Sequence, residues 1–475
     1  MRRNLSSLAG RLGVFAALSL SAWPQAPQQE LNREFQQAVA AYNAHDLSTA
    51  AARLEALLPR TANNFQVHEL LGLVYAEESK DEAAVQQLAI AARLNPGSGA
   101  AHANLAATLA RAGHSTAAEK EFLRALALEP DNAPANSSLA QLYLASGKVG
   151  DAMPLLEKAH RLNPDAYDTT YNLAVACYLT DRLPEAHTLA TELLRQHNVG
   201  EVHNLLGRIE EKQGQAIEAA NAFATAAHMD PTEENLFSWG SELLLHRTYD
   251  AAIAVFQQAT QRYPDSARLW TALGLALFAR TRYPEAVHAL MTAADRSPHD
   301  PRCYLFLSKA YLMDPGSASQ VIARFRRYAE LEPKNGMAQY YYAMSLWKGQ
   351  RADPSAIDLA QVQSLLEKAV ALDGTLAPAH LQLGILYADH HEWDKVLPQY
   401  TRAAALDPSL PDAHYRLGQY YTHAGDKQRA QQEFHLFQQL QASQMAEADR
   451  QRAAVRQFIV SSQPGSQGGP APAQP

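Results

Sequence analysis

The sequence of 475 residues has no excess of positive charge, few cysteines and few runs of β-branched or aromatic residues. Its formal net charge is −8, and a mildly acidic chain without a basic stripe is a poor candidate for binding nucleic acid. The two cysteines, Cys177 and Cys303, form no C-x-x-C motif, which favours buried free thiols over a disulfide or a metal site. Alanine and leucine are abundant, so helices are favoured over sheets.

Motifs of catalysis and of cofactor binding are also missing. The sequence contains no H-E-x-x-H, G-x-G-x-x-G, P-loop or G-x-S-x-G pattern, so we predict that the protein is not an enzyme and has no cofactor. His390 and His391 beside Glu392 are the best candidates for metal ligands. They fall in a predicted turn, where solvated polar residues are usual, and we predict no metal site.

Residues 1–26 have the layout of a secretory signal peptide. Three basic residues, Arg2, Arg3 and Arg11, precede an apolar stretch from Leu12 to Ala22, and small residues and proline follow. The stretch is too short to cross a membrane, which needs about 20 residues. We predict cleavage near Ala22 or Ala26, a periplasmic or secreted protein, and no transmembrane segment in the mature chain. The alternative is a short amphipathic start of a cytosolic protein.

One phrase recurs along the chain. Residues 92–106 read ARLNPGSGAAHANLA, and similar phrases occupy residues 126–140, 160–174 and 404–418. The prolines of the phrase return at a period near 34 residues, which indicates a helical solenoid. In residues 65–98, apolar and small residues follow a helical spacing twice, with a polar break at residues 79–81. Each unit therefore predicts two antiparallel helices, and proline ends the second because it has no amide hydrogen.

The repeated positions resemble the tetratricopeptide repeat. Leucine, then a small residue at the eighth position, alanine at the twentieth and proline at the thirty-second recur, as in Leu206, Gly207, Ala219 and Pro231. The resemblance implies an all-α fold, a right-handed α-solenoid superhelix of about twelve helical hairpins over residues 31–444. The units start near Leu31, Phe65, Gly99, Ala133, Tyr167, Gly200, Glu233, Ala267, Pro301, Gly336, Ala377 and Pro411.

Two segments near the C-terminus depart from the repeat. Residues 426–460 are longer than a normal second helix, and we predict a capping helix there; a dimerising coiled coil is the alternative, but its heptads are not sustained. Residues 461–475 are rich in glycine, proline, serine and glutamine, and we predict a disordered tail. Within the array, the ninth unit has Val321 and Tyr328 where small residues belong, and the tenth carries an insertion.

The resemblance places partner binding on the concave face, at positions 2, 5, 9 and 12 of each first helix. The apolar members of this stripe, our predicted partner-binding residues, are Tyr171, Val175, Tyr178, Phe237, Leu244, Leu275, Phe278, Tyr340, Met344 and Trp347. An apolar peptide or helix would suit such a groove. The same side chains could instead pack against the next unit. The basic residues of a carboxylate clamp are absent, so that mode of binding is excluded.

The sequence thus predicts a non-catalytic scaffold of the cell envelope that binds a protein or peptide of unknown identity. Two alternatives stay open. One is a cytosolic or membrane-associated regulatory adaptor whose N-terminus is not cleaved. The other is a carbohydrate-binding accessory protein, suggested by the many aromatic residues.

Overall fold

The computed structural model describes residues 27–313, 315–349 and 358–443. The predicted signal peptide, the predicted tail and the distal part of the predicted capping helix lie outside these ranges. The chain divides into two compact units, one ending at Asn198 and the other beginning at Val199. We call them the N-terminal unit and the C-terminal unit. All regular structure in the described residues is helical, without a strand.

The N-terminal unit holds five helical hairpins. Its helices are α1 (Pro27–Asn43), α2 (Leu47–Leu57), α3 (Phe65–Glu77), α4 (Asp81–Leu94), α5 (Gly99–Arg111), α6 (Ser115–Leu128), α7 (Ala133–Ala145), α8 (Val149–Leu162), α9 (Tyr167–Leu179) and α10 (Leu183–Gln196). A 3-10 turn at Leu58–Arg60 follows α2. The odd-numbered helices are the first helices of their hairpins.

The C-terminal unit continues the pattern with seven hairpins. Its helices are α11 (Gly200–Lys212), α12 (Ala216–Met229), α13 (Glu233–Leu245), α14 (Tyr249–Arg262), α15 (Ala267–Ala279), α16 (Tyr283–Arg296), α17 (Pro301–Tyr311), α18 (Ala318–Leu331), α19 (Gly336–Gly349), α20 (Leu359–Leu372), α21 (Ala377–Asp389), α22 (Trp393–Leu406), α23 (Pro411–His423) and α24, which runs from 427 to the last described residue, 443. A 3-10 turn at Pro315–Ser317 precedes α18. Within each unit, every second helix packs against the first helix of the next hairpin. The predicted all-α solenoid of helical hairpins is confirmed.

Several first helices begin where a short polar side chain caps them. Ser98 Oγ accepts a hydrogen bond from the backbone amide of Ala101 (3.1 Å), and Asn132 Oδ1 accepts one from Ala135 (3.0 Å). Such caps satisfy amides that have no partner inside the helix. The described part of α1 spans Pro27–Asn43 and includes Leu31, the predicted start of the first unit.

Close packing inside each hairpin depends on the small residue at the eighth position. A Cβ added at Gly72 would lie 2.5 Å from Cγ of Leu88, and one added at Gly240 would lie 2.5 Å from Cε1 of Phe256. Leu88 and Phe256 are themselves fully buried. In these two hairpins the helices therefore approach each other across a glycine and a large apolar side chain.

The turn between the two helices of a hairpin uses a left-handed residue. In four hairpins this residue is glycine, with φ between +75° and +86°. In six others it carries a side chain and φ lies between +56° and +64°: His45, Ser79, Asp181, Arg247, Thr281 and His391. A left-handed backbone costs about 1–2 kcal/mol for residues with a Cβ. The hairpin geometry thus overrides local preference at these six positions.

The ninth hairpin is packed with larger side chains than its neighbours. Tyr328, which departs from the repeat pattern, stacks on Tyr304 with ring centroids 3.9 Å apart and an interplanar angle of 8°. Both rings and Val321 are buried. The hairpin accommodates its large residues by aromatic stacking in place of a close helix crossing.

Candidate functional site

The structure places the ten predicted partner-binding residues on first helices of both units. Tyr171, Val175 and Tyr178 lie on α9 of the N-terminal unit, and the others lie on α13, α15 and α19 of the C-terminal unit. None of the ten is exposed: Val175 is buried and the other nine are half-buried. Five of them pack at the margin of the large core of the C-terminal unit, namely Phe237, Leu244, Phe278, Tyr340 and Trp347. Packing thus occupies part of each of these five side chains, and their role in binding stays a prediction.

A cavity of about 370 Å³ opens between the first helices α5, α7 and α9 of the N-terminal unit. We call it the amide pocket. Its walls come from these three helices and its floor includes Phe122 of α6, which is buried. The volume lies within the range of ligand pockets in proteins, about 300–1,000 Å³. The sequence analysis did not find this pocket.

The amide pocket exists because the side chains around it are small. On α5, positions 2, 5, 9 and 12 are all alanine: Ala100, Ala103, Ala107 and Ala110. On α7 the pocket is lined by Ala133, Ser137 and Ser138. On α9 the tyrosines at positions 5 and 12 restore a large surface. The first-helix face of the N-terminal unit therefore leaves space for a cavity at α5 and α7.

Polar groups of the amide pocket are available to a ligand. Gln141 and Asn172 line it, and neither side chain has a hydrogen-bond partner among the described residues. Asn104 also lines it, and its Nδ2 donates to Oε1 of Glu69 on α3 (3.3 Å). Thr169 Oγ1 donates to Ser137 Oγ (2.9 Å), which fixes the opposite wall. Side-chain amides donate and accept hydrogen bonds, as a peptide backbone requires.

Two buried carboxyl groups lie on the first helices of the C-terminal unit. Burial, together with the charge of Glu218, raises the pKa of Glu210 on α11 to about 7. Burial, together with the charge of Glu211, raises the pKa of Glu242 on α13 to about 7 as well. Such shifted pKa values are frequent at functional sites and equally occur in buried structural groups. Neither carboxyl group lines the amide pocket.

Glu242 has a histidine as its close neighbour. Its Oε1 lies 3.1 Å from Nε2 of His246, one helical turn further along α13. Burial lowers the pKa of His246, so the imidazole is neutral near pH 7. A neutral imidazole cannot compensate the charge of an ionised Glu242. The site is therefore least costly when the carboxyl group is protonated.

Histidines at the fourth position of the repeat have a structural explanation. The rings of His68, His102, His380 and His414 each contact a Gln or Glu of the second helix at 2.6–2.7 Å through Nδ1. Nε2 of each ring lies 3.0–3.3 Å from the carbonyl oxygen six residues earlier. The ring thus ties the two helices of the hairpin to the turn that precedes them. In the described part of the chain, no group of three or more His, Cys, Asp or Glu residues is placed to hold a metal ion.

Both cysteines are buried free thiols, as predicted. Burial raises the pKa of Cys177 to about 11 and that of Cys303 to about 12. A thiol with such a pKa is protonated near neutral pH and is a poor nucleophile. The cysteines therefore belong to the packing of α9 and α17.

The geometry defines a solenoid of helical hairpins with a polar pocket on its first-helix face, and the family follows from comparison with known proteins. Family models described as tetratricopeptide repeat match residues 35–98, 237–301 and 381–438 in one case and 143–209 in another. The chain belongs to the tetratricopeptide repeat family. This confirms the resemblance on which the sequence analysis relies.

Individual relatives are distant. The BBSome complex member BBS4 of Xenopus tropicalis is 23% identical over 294 residues, which cover 54% of this chain and 54% of that protein. The chain therefore spans about half the length of this relative. The crystal structure of yeast Tom70 has 14% identity and a TM-score of 0.38, and covers 85% of this chain and 98% of Tom70. The APC/C hetero-tetramer Cut9-Hcn1 has 13% identity and a TM-score of 0.38, with coverage of 90% and 97%.

Two further findings concern membrane-spanning helices and exposed aromatic side chains. Within the described ranges, no helix combines the length and the apolar content needed to cross a bilayer. Of the aromatic side chains in those ranges, Tyr415 alone is exposed. The carbohydrate-binding alternative was based on exposed aromatic residues, and it keeps little support.

Proposed function

We propose that this protein is a non-catalytic scaffold that binds an extended segment of a partner protein on its first-helix face, the concave face of the prediction. The amide pocket between α5, α7 and α9 is the observation that carries the proposal. Its lining combines apolar walls with a few polar groups, which is the usual composition of a binding site. The relative BBS4 is named as a member of a protein complex, in line with a scaffold.

The pocket suits a peptide backbone with one inserted side chain. Gln141 and Asn172 can each donate and accept hydrogen bonds with backbone amides, and the cavity above Phe122 accepts the side chain. Buried apolar area would supply most of the affinity, and the amides would fix the register of the segment. The tyrosines of α9 adjoin the pocket through Tyr167, which lines it and stacks on Tyr171 at a centroid distance of 6.0 Å.

Filling the amide pocket should abolish peptide binding. Ala107 is half-buried and lines the pocket, so Ala107→Trp would occupy the cavity. Peptides selected from a phage-displayed random library on the full-length protein should bind the Ala107→Trp variant at least tenfold more weakly, as measured by isothermal titration calorimetry. Asn172→Ala should weaken binding by about five- to tenfold, the equivalent of about 1–1.5 kcal/mol for a lost hydrogen bond.

The matched control is Ala117→Trp, which changes an exposed alanine of α6 outside the pocket. It should bind the selected peptides like the wild type. Equal affinity of the wild type and the Ala107→Trp variant would show that the selected peptides bind elsewhere. The amide pocket would then lose its proposed role.

We also propose that the protein acts in the cell envelope, after export and removal of the segment that precedes α1. The proposal is supported by the basic start and apolar stretch of residues 1–26. N-terminal sequencing of the protein purified from its native cells should give a first residue at Trp23 or Pro27. An intact Met1 would favour the alternative, a cytosolic or membrane-associated adaptor.

A further inference from the structure

Helix α17 of the C-terminal unit and the turn that follows it expose three large apolar side chains. Leu305 is 38% exposed, Leu312 is 37% exposed and Met313 is 55% exposed. Leu305 and Leu312 occupy positions 5 and 12 of the ninth unit. The residues at positions 9 and 12 of the adjacent first helices, α15 and α19, are half-buried and so less exposed than the residues above: Leu275, Phe278, Met344 and Trp347. We call Leu305, Lys309, Leu312 and Met313 the α17 patch.

The α17 patch carries one uncompensated positive charge. Lys309 lies between Leu305 and Leu312 on the same side of the helix, is exposed, and has no ion-pair partner among the described residues. The nearest other cation on this helix, Arg302, is neutralised by Asp300, with Nη2 and Oδ2 2.6 Å apart. The patch therefore combines apolar surface with a single cationic head group.

A small cavity of about 70 Å³ lies beside the patch, between α17 and α19. Its lining includes Tyr311, Leu312, Tyr340, Met344 and Ser345. Tyr311 Oη donates a hydrogen bond to the carbonyl oxygen of Ser345 (2.7 Å), which holds the two helices at this separation. Two of the predicted partner-binding residues, Tyr340 and Met344, thus form part of a cavity of a size suited to one aliphatic side chain.

We infer that the α17 patch binds an amphipathic helix of a partner protein, with aliphatic residues on one side and a carboxylate beside them. One aliphatic side chain enters the cavity, others cover Leu305 and Leu312, and the carboxylate pairs with Lys309. A second copy of this chain is a poorer occupant, because a two-fold contact would bring two Lys309 side chains together. This surface is separate from the amide pocket and adds a second kind of ligand to the proposed function.

Two synthetic helical peptides with the same leucine face test the inference, one flanked by glutamate and the other by lysine. With the full-length protein, fluorescence anisotropy should show at least tenfold tighter binding of the glutamate peptide. Leu305→Ser and Leu312→Ser should each weaken that binding at least tenfold, and Lys309→Glu should reverse the preference between the two peptides. Added salt should weaken binding of the glutamate peptide.

Two controls separate this surface from other effects. Leu123→Ser changes a leucine of α6 that is 51% exposed, and Ala107→Trp fills the amide pocket; both should bind the glutamate peptide like the wild type. Equal binding of the two peptides, no binding, or unchanged binding by the Leu305→Ser and Leu312→Ser variants would overturn the inference. Sedimentation that shows self-association lost in Leu312→Ser would also overturn it, because a second copy would then be the occupant.

Discussion

Replacing Gly240 with alanine will destabilise the C-terminal unit by about 1–3 kcal/mol, the usual cost of overpacking a core. The added Cβ would lie 2.5 Å from Cε1 of Phe256, well inside contact distance. Phe256 is fully buried, so a shift of its ring would disturb the surrounding core. The two helices α13 and α14 must therefore separate, and they lose contacts along their length. Thermal melting followed by circular dichroism, with hydrogen exchange on α13 and α14, measures the effect.

A matched glycine supplies the control. A Cβ added at Gly150, in the first turn of α8, would meet no atom within 4 Å. Because alanine is a better helix former than glycine, Gly150→Ala should leave stability unchanged or raise it slightly. The third hairpin has Ala106 at the eighth position over Phe122, so the spacing can adjust to one methyl group and the loss should stay limited. A neutral Gly240→Ala would mean that the crossing at this hairpin is looser than the structure shows.

Replacing Glu242 with glutamine should stabilise the protein at about pH 8 by up to about 3 kcal/mol. The carboxyl group is 3% exposed, and its pKa is raised from 4.5 to about 7. In the folded state the protonated form is favoured, so its contribution to stability is full below about pH 4.5 and is lost as the pH rises through 7. Glutamine keeps the size and the hydrogen-bonding capacity without the charge. Melting temperatures at about pH 5 and pH 8 should show a gain at the higher pH alone.

Glu330→Gln is the control for this titration, because Glu330 is exposed on α18. It should change the melting temperature little at either pH. Glu210→Gln should act like Glu242→Gln, since burial also raises the pKa of Glu210 to about 7. A destabilised Glu242→Gln at about pH 8 would show that the ionised carboxylate is held by a favourable interaction. The case for a costly buried charge would then fail.

Much of the fold could be predicted because it depends on residues with strong backbone effects. Glycine or alanine at the eighth position and proline near the end of each unit set the crossing and the end of the second helix. As a result α13 begins at Glu233 and α23 at Pro411, where the repeat pattern places unit starts.

The amide pocket was harder to predict because it forms where large side chains are missing from the first helices. Large side chains on the first helices were predicted to bind a partner, whereas the amide pocket is lined by two alanines of α5, Ala103 and Ala107, and by small residues of α7. The α17 patch was missed because the ninth unit was treated as irregular. Its register nevertheless places Leu305 and Leu312 at positions 5 and 12.

The role of four of the fourth-position histidines could have been predicted from the sequence. A Gln or Glu stands 19 residues after each of His68, His102, His380 and His414, and the structure joins each pair. The missing step was to compare positions across the two helices of a hairpin.

Six turn residues that are not glycine have a left-handed backbone, and a single substitution at any of them can raise the stability of the chain. Replacing Thr281 or Arg247 with glycine, for instance, would remove the steric strain of the left-handed backbone. The expected gain in stability is about 1 kcal/mol, because part of the relieved strain is offset by the entropy that glycine loses on folding. None of the six residues lines the amide pocket or belongs to the α17 patch. Single changes there can offset destabilising substitutions on the binding surfaces, so a lineage can acquire a new partner while the solenoid stays folded.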